Sequence, residues 1–302
     1  MNQTSSIPSK DPGLRVARPP KPAGQFREAL GVFCRNPSAV FGLLLLLVIV
    51  GVTVLGPLLM DADPFAISGP PMDPPGSEYG LLGTDYLGRD LLIGLVYGGQ
   101  ATLLTGVIAA VLAVFIGVVV GAVSGYYGGW IDEALMRVTE FFQVLPALLF
   151  AMVVVSLFSP TLWSISIAIG LASWTNTARL ARSEFLRLKR QDYILAERVI
   201  GSGNGRIIWK VILPNAIAPL IVSATLAIGT AILFEAGLSF LGLGDPNMMS
   251  WGLMIGNNRP YILAAWWAVT LPGVAIFLTV LAVSLIGDGL TDAFNPRLRE
   301  RS

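Results

Sequence analysis

The chain of 302 residues has no histidine and a single cysteine, Cys34. Those absences exclude intrachain disulfides, Cys/His zinc sites and Ser-His-Asp catalysis. Charge is scarce too: Asp, Glu, Lys and Arg make up 13% of the residues, against about 25% in an ordinary soluble domain. Apolar and aromatic residues reach 54%, which leaves too little polar surface to cover a water-soluble globule of this size. A soluble enzyme is therefore excluded, and the composition points to an all-α polytopic membrane protein. The net charge of +1 supplies no overall basic field of the kind that attracts nucleic acid.

What the sequence does have is a succession of apolar runs. A membrane helix needs about 20 mostly apolar residues, because it rises about 1.5 Å per residue through about 30 Å of hydrocarbon. Six runs are read as transmembrane helices: 39–60, 101–123, 138–158, 161–175, 216–238 and 262–286. The first is too long and starts too late for a signal peptide. The fourth is short and follows a Ser159-Pro160 break. Pro146 and Pro272 are expected to kink the third and sixth. Gly117, Gly121 and Gly125 repeat at the four-residue spacing that lets helices approach closely.

Charge sorts along the chain in the same pattern. Six basic residues precede the first run, Arg137 lies between the second and third, eight lie between the fourth and fifth, and three follow the sixth. With the N-terminus inside, all of these face the cytoplasm, and only Arg89 and Arg259 lie outside. The expected organisation is a cytoplasmic tail 1–37, a membrane domain 38–290 with both ends inside, and a cytoplasmic tail 291–302. The membrane domain includes an external loop 61–100 and a cytoplasmic loop 176–215. The first tail is Pro-rich and is expected to be largely disordered, with a short surface helix near Phe26–Phe33.

The cytoplasmic loop carries the most information. A helix through Leu195-Ala196-Glu197-Arg198, ended by Gly201, is expected to precede a second helix that stops before Leu213-Pro214. Such a two-helix elbow, held at both ends by membrane helices, can pass force from a cytoplasmic partner into the bilayer. Alternatively, a basic loop here only fixes topology and binds anionic lipid. The stretch Gly201-Ser202-Gly203-Asn204-Gly205 lacks the Gly-Lys-Ser/Thr ending of a phosphate loop, so ATP binding by this chain itself is not expected.

The spacing of this loop resembles the E-A-A loop of ATP-binding-cassette (ABC) importer permeases: E-A-A, three residues, glycine, nine residues, I-x-L-P. Here the triplet falls on Leu195, Ala196 and Glu197, so its leading glutamate is absent; the glycine is Gly201, and the closing element falls on Val211, Leu213 and Pro214. Arg198 matches the arginine that follows the triplet in the peptide-transport branch. Gly83-Thr84-Asp85-Tyr86-Leu87-Gly88-Arg89-Asp90 and Glu235-Ala236-Gly237-Leu238-Ser239-Phe240-Leu241-Gly242-Leu243-Gly244 resemble two further elements of dipeptide/oligopeptide (and nickel) permeases. The segment from Gly287-Asp288-Gly289-Leu290 to Asn295-Pro296-Arg297 resembles a third. The likeness covers most of 35–298 and is greatest for the C-type subunit. The chain departs from that family after Asp90, where Ile93-Gly94 and Gly98-Gly99-Gln100 replace two external arginines.

The resemblance implies a type I ABC importer (MetI-like) transmembrane domain in a bacterial or archaeal inner membrane. It implies a homologous B-type permease, two ABC ATPase subunits that carry ATP and Mg, and an extracytoplasmic solute-binding protein. This chain itself would hold no catalytic residue, metal or cofactor. Ala196, Glu197, Arg198, Gly201, Leu213 and Pro214 would couple to the ATPases, and Asp85, Arg89, Asp90 and Glu235 are candidates for an external gate or docking surface. Several roles stay open. Asp85 caps a turn around Gly88 or pairs with Arg89, and Asp90 pairs locally or caps. Glu235 lies about 30 Å along a helix from Asn215, and either lines a gate, is wetted, or pairs with a helix end. Glu140 is read as capping or snorkelling at the cytoplasmic face. The alternative function is an ion-coupled secondary transporter, a class that places charges mid-span and repeats its halves; neither feature is visible here. The solute is left open among dipeptides, oligopeptides, nickel chelates, glutathione and opines.

Overall fold

The computed structural model describes residues 25–294, with side chains from residue 30 onward. Among the described residues there is no strand; three isolated bridges tie turns of the external loop. A short helix, α1 (Gln25–Arg35), leads into α2 (Pro37–Met60). The break between them is set by Asn36, whose side chain accepts from the Ser38 and Ala39 amides, and by Pro37, whose missing N–H costs nothing in a first turn. Residues 1–24 of the expected N-terminal tail, and 295–302 of the C-terminal one, lie outside the described residues.

The next helix, α3 (Leu91–Tyr127), starts ten residues before the expected second run. Asp90 caps it, accepting from the amides of Leu92 (2.7 Å) and Ile93 (3.3 Å). Residues 91–100, which the expected organisation places in the external loop, are helical, and Gly94, Gly98 and Gly99 leave room for α10 (Trp251–Asn258): a Cβ on Gly98 would stand 3.1 Å from the Trp251 ring. The expected third span is two helices, α4 (Gly129–Val144) and α5 (Ala147–Leu157), which meet at 88°. Pro146 accounts for the break, since it offers no N–H and pushes Leu145 into an extended conformation.

The fourth run opens α6 (Leu162–Leu188), which is capped by reciprocal Thr161–Ser164 hydrogen bonds and continues deep into the expected cytoplasmic loop. After α7 (Asp192–Val199), the short α8 (Asn204–Arg206), a π-helical stretch (Ile207–Ile212), α9 (Leu213–Leu238) and a second π-helical stretch (Ser239–Leu243) form one helical unit of 40 residues. The last helix, α11 (Trp267–Phe294), passes through Pro272 without ending. By length and composition, four helices are apolar enough to cross a membrane: α2, α3, the unit Asn204–Leu243, and α11; α4 and α5 taken together raise the number to five. The helix α6 does not qualify, because Ser164, Ser166, Ser173, Thr175 and Asn176 dilute its apolar residues. This is the one point at which the six expected spans exceed what hydropathy supports.

Two seams hold the bundle together. The glycines of α3 let its backbone rest on α6: a Cβ at Gly117 would stand 2.6 Å from Thr177, one at Gly121 2.3 Å from the Ala178 carbonyl, and one at Gly125 2.8 Å from Phe185. In the second seam α2 lies along α11, the two antiparallel, joined by Asn36 donating to Asp292 (3.1 Å) and by close approach of Gly42 to Leu285. Phe33 on α1 closes that end against Ala39 and Ala293. A bidentate pair clips α4 to α6: Arg182 donates to Asp132 at 2.6 and 2.7 Å, and Ser124 donates to the same carboxylate.

Candidate functional site

The elbow is built from the end of α6, α7 and the start of the helix that follows. Of the residues of α7 only Ile194 is buried, in a cluster with Phe185, Leu188, Ile207 and Ile212. Tyr193, Leu195, Ala196, Val199 and Ile200 are exposed, Val199 to 87%. A helix this short keeps such an apolar surface in water only if something covers it. Its end is a Schellman motif: Gly201, at φ +82°, donates to the Arg198 carbonyl (3.0 Å), and the Ser202 amide donates to the Glu197 carbonyl (3.0 Å). The Ser202 hydroxyl donates to the Glu197 carboxylate, which turns that side chain inward while Ala196 and Arg198 stay exposed.

Tyr126, at the end of α3, anchors the elbow. Its hydroxyl donates to Asn204 (2.8 Å), its carbonyl accepts from the Lys189 ammonium, and its ring lies under Lys189 and Arg198 at 5.7 and 5.4 Å. Partial burial, with Arg198 and Arg190 close by, holds Lys189 below the usual lysine range. The expected second elbow helix does not stop before Leu213-Pro214. Pro214 has no N–H to give, and the chain widens into π-helical turns over Ile207–Ile212 and runs on without interruption. Leu213 packs against the cluster beneath the elbow, and Pro214 is exposed.

A polar groove opens above the elbow, between the α4–α5 junction, α6 and α9. Its inner part is a cavity of about 420 Å³ lined by Gln143, Ser173, Asn176, Thr177, Ser223 and Thr230, with Phe142 and Phe234 as walls. Gln143 and Asn176 are shared with a wider cavity of about 740 Å³ that carries Glu140, Arg179 and Arg182. Thr177 and Ser223 stand 3.3 Å apart, and Arg179 donates to Gln143 at 3.1 Å. Glu140 pairs with Arg137 on the exposed face of α4, at 3.5 Å. None of the groove hydroxyls or amides was singled out from the sequence. The available signal is Ser173, Asn176 and Thr177, with Ser223 and Thr230, at helical spacing within otherwise apolar helices.

The external candidates do not form one cluster of charges, and no ion pair joins Asp85, Arg89 and Asp90 among the described residues. Asp85 caps the turn at Gly88, accepting from the amides of Leu87 (2.8 Å) and Arg89 (2.9 Å), and Asp90 caps α3. Arg89 lies over the Phe65 ring at 5.1 Å. The same loop is fixed to the bundle by Trp267 donating to the Thr84 carbonyl (3.2 Å) and by Tyr86 donating to Asn258 (3.1 Å). Glu235 is buried rather than wetted. It accepts from Ser239 at 2.7 Å, with Thr102 and Ser250 adjoining it, where α9 meets α3 and the start of α10.

Sequence and fold both relate this chain to known proteins. Residues 113–300 match the family described as binding-protein-dependent transport system inner membrane component. The chain belongs to that family. Residues 24–75 also match the N-terminal membrane domain of oligopeptide transport permease C. The di/tripeptide transport system permease protein DppC of Pseudomonas aeruginosa is 38% identical over 99% of both chains. The dipeptide transport system permease protein DppC of Escherichia coli is 40% identical over 95% of this chain and 98% of its own. Among solved structures, a chain of the MetNI methionine ABC transporter in inward-facing form superposes with a TM-score of 0.51. It is 20% identical and covers 67% of this permease and 96% of its own length, a likeness of fold. The permease is thus an all-α, MetI-like membrane subunit of the ABC importer class.

Proposed function

We propose that this permease forms one half of a peptide path through an inner membrane, paired with a homologous B-type subunit. Two ABC ATPases, carrying ATP and Mg, work it from the cytoplasm, and an extracytoplasmic binding protein supplies it. In this reading the chain crosses the membrane six times with both ends inside, α6 making the crossing that hydropathy leaves out: its Ser173, Thr175, Asn176 and Thr177 line the groove. The chain contributes no catalytic group and no cofactor of its own.

One observation carries the reading. The helix that leaves the elbow at Asn204 is the helix that presents Ser223 and Thr230 to the groove. A rigid helix attached to a lever moves its whole length when the lever moves, so displacement at Ala196–Gly201 repositions the groove wall. ATP-driven closure of the motor pair would draw this elbow and the partner's together and turn the path outward; hydrolysis would reset it. Substrate specificity at the groove would come from hydroxyls and amides, which hydrogen-bond a peptide backbone without fixing on one side chain.

The test is substrate-stimulated ATP hydrolysis by the reconstituted assembly. Gly201→Arg is expected to leave membrane insertion intact and to abolish stimulation. Unchanged stimulation would contradict the role of the elbow, and uptake by this chain alone, driven by an ion gradient, would favour a secondary transporter.

A further inference from the structure

A second groove lies on a different face of the helix that follows the elbow. The helices α3 and α9 meet toward the outside, where Gly106 seats Ile232, and again at the cytoplasmic end, where Ala122 and Tyr126 join Ile207 and Ile212. Between these contacts they part, leaving a cavity of about 400 Å³ whose lining is almost wholly apolar, including Ala110, Val114, Val118, Leu213, Ala224 and Ile228. Along α3 the lining runs from Ala110 to Val119, about 14 Å at 1.5 Å per residue. The neighbouring Val111 and Phe115 are more than 60% exposed, so the groove opens to the surface that faces hydrocarbon.

Its cytoplasmic mouth is chemically distinct. Trp209, 44% exposed, lines it at the elbow end, and tryptophan is enriched at membrane–water boundaries. Arg206 and Lys210, three residues before and one after it, are exposed, and among the described residues neither has an ion-pair partner. An almost wholly apolar groove with a tryptophan in its lining, and two exposed, unpaired cations flanking that tryptophan along the chain, suit the two halves of an anionic phospholipid. We infer that this groove holds one acyl chain of such a lipid, with Arg206 and Lys210 on its phosphate. The cytoplasmic positive charge of this segment thereby has a second use beside orienting the chain, one that is independent of the transport reading.

The experiment uses the full chain, purified with whatever subunits accompany it and reconstituted in phosphatidylcholine vesicles. Equal mole fractions of brominated phosphatidylglycerol or brominated phosphatidylcholine are added, and the fluorescence difference between the natural chain and Trp209→Phe isolates the quenching of Trp209. Phosphatidylglycerol is expected to quench Trp209 several-fold more than phosphatidylcholine does. Arg206→Gln with Lys210→Gln is expected to bring the two lipids level, with quenching by phosphatidylcholine retained. Equal quenching in the natural chain would reduce the groove to ordinary lipid contact and overturn the proposal. So would a phosphatidylglycerol preference that survives the double substitution. Quenching by neither lipid would mean that a protein segment fills the groove, and would overturn it as well.

Discussion

Gly88 and Gly201 have nearly the same backbone conformation, φ +83° and +82°, in different surroundings. A Cβ on Gly88 would stand 2.1 Å from the Gly69 carbonyl oxygen, whereas nothing lies within 4 Å of one on Gly201. The left-handed conformation alone costs a non-glycine residue about 1–2 kcal/mol, and overpacking adds about 1–3 kcal/mol. Gly88→Ala should therefore lower the melting temperature of the detergent-solubilised chain clearly more than Gly201→Ala does; the opposite order would contradict this account of the external loop. Gly201 was legible in the sequence because a helix end followed by glycine is a local signal. Tyr126, its anchor, was not, because the contact joins positions 126 and 204, which no local pattern links. Lys189 offers a second test at this scale. Its ammonium is held below the ordinary lysine value of 10.5 by burial and by Arg198 and Arg190, so the folded state binds its proton less tightly than the unfolded one. Stability should rise with pH between the lowered value and 10.5, and Lys189→Gln should flatten that rise in a series of thermal melts.

At the scale of elements, Gly117, Gly121 and Gly125 marked a close-packing face on α3 in advance, since glycine every four residues serves close helix contact, but not that α6 is what packs there. Gly121→Val should force α6 off α3, with a loss of about 1–3 kcal/mol or more, seen as a lower melting temperature and as faster proteolysis of the elbow. The clip between Asp132 and Arg182 was not readable, because it pairs charges 50 residues apart on helices whose relative rotation no periodicity fixes. Asp132→Asn should cost about 1–2 kcal/mol, discounted for the partial exposure of Arg182. Arg182→Lys should also be destabilising, because an ammonium lacks the fork that meets both carboxylate oxygens. The helix α3 starts ten residues before the expected span, where Gly94, Gly98 and Gly99 make room for α10, and the kink expected at Pro146 is a full break, with α4 and α5 meeting at 88°. The polar groove was hidden for another reason: serine and threonine in apolar helices often only bond back to their own turn, as Thr225 and Thr230 do. Their alignment along a path emerges only when α4, α6 and α9 are brought together.

For the whole molecule, the proposed function follows one line: an exposed apolar elbow, a glycine-ended turn braced on Tyr126, and a 40-residue helical unit that would carry motion past the groove. Composition alone already placed this molecule in a membrane and denied it histidine-based chemistry, and the sorting of basic residues is the basis of the orientation proposed above. The most direct measurement is site-specific crosslinking at the elbow. In a Cys34→Ser background, Ala196→Cys should crosslink to an ABC ATPase subunit in native membranes, with a yield that changes when ATP is added and hydrolysis is blocked. An Ala196→Cys thiol that stays fully open to a soluble maleimide in the assembled transporter, and crosslinks to no ATPase in any nucleotide state, would contradict the account.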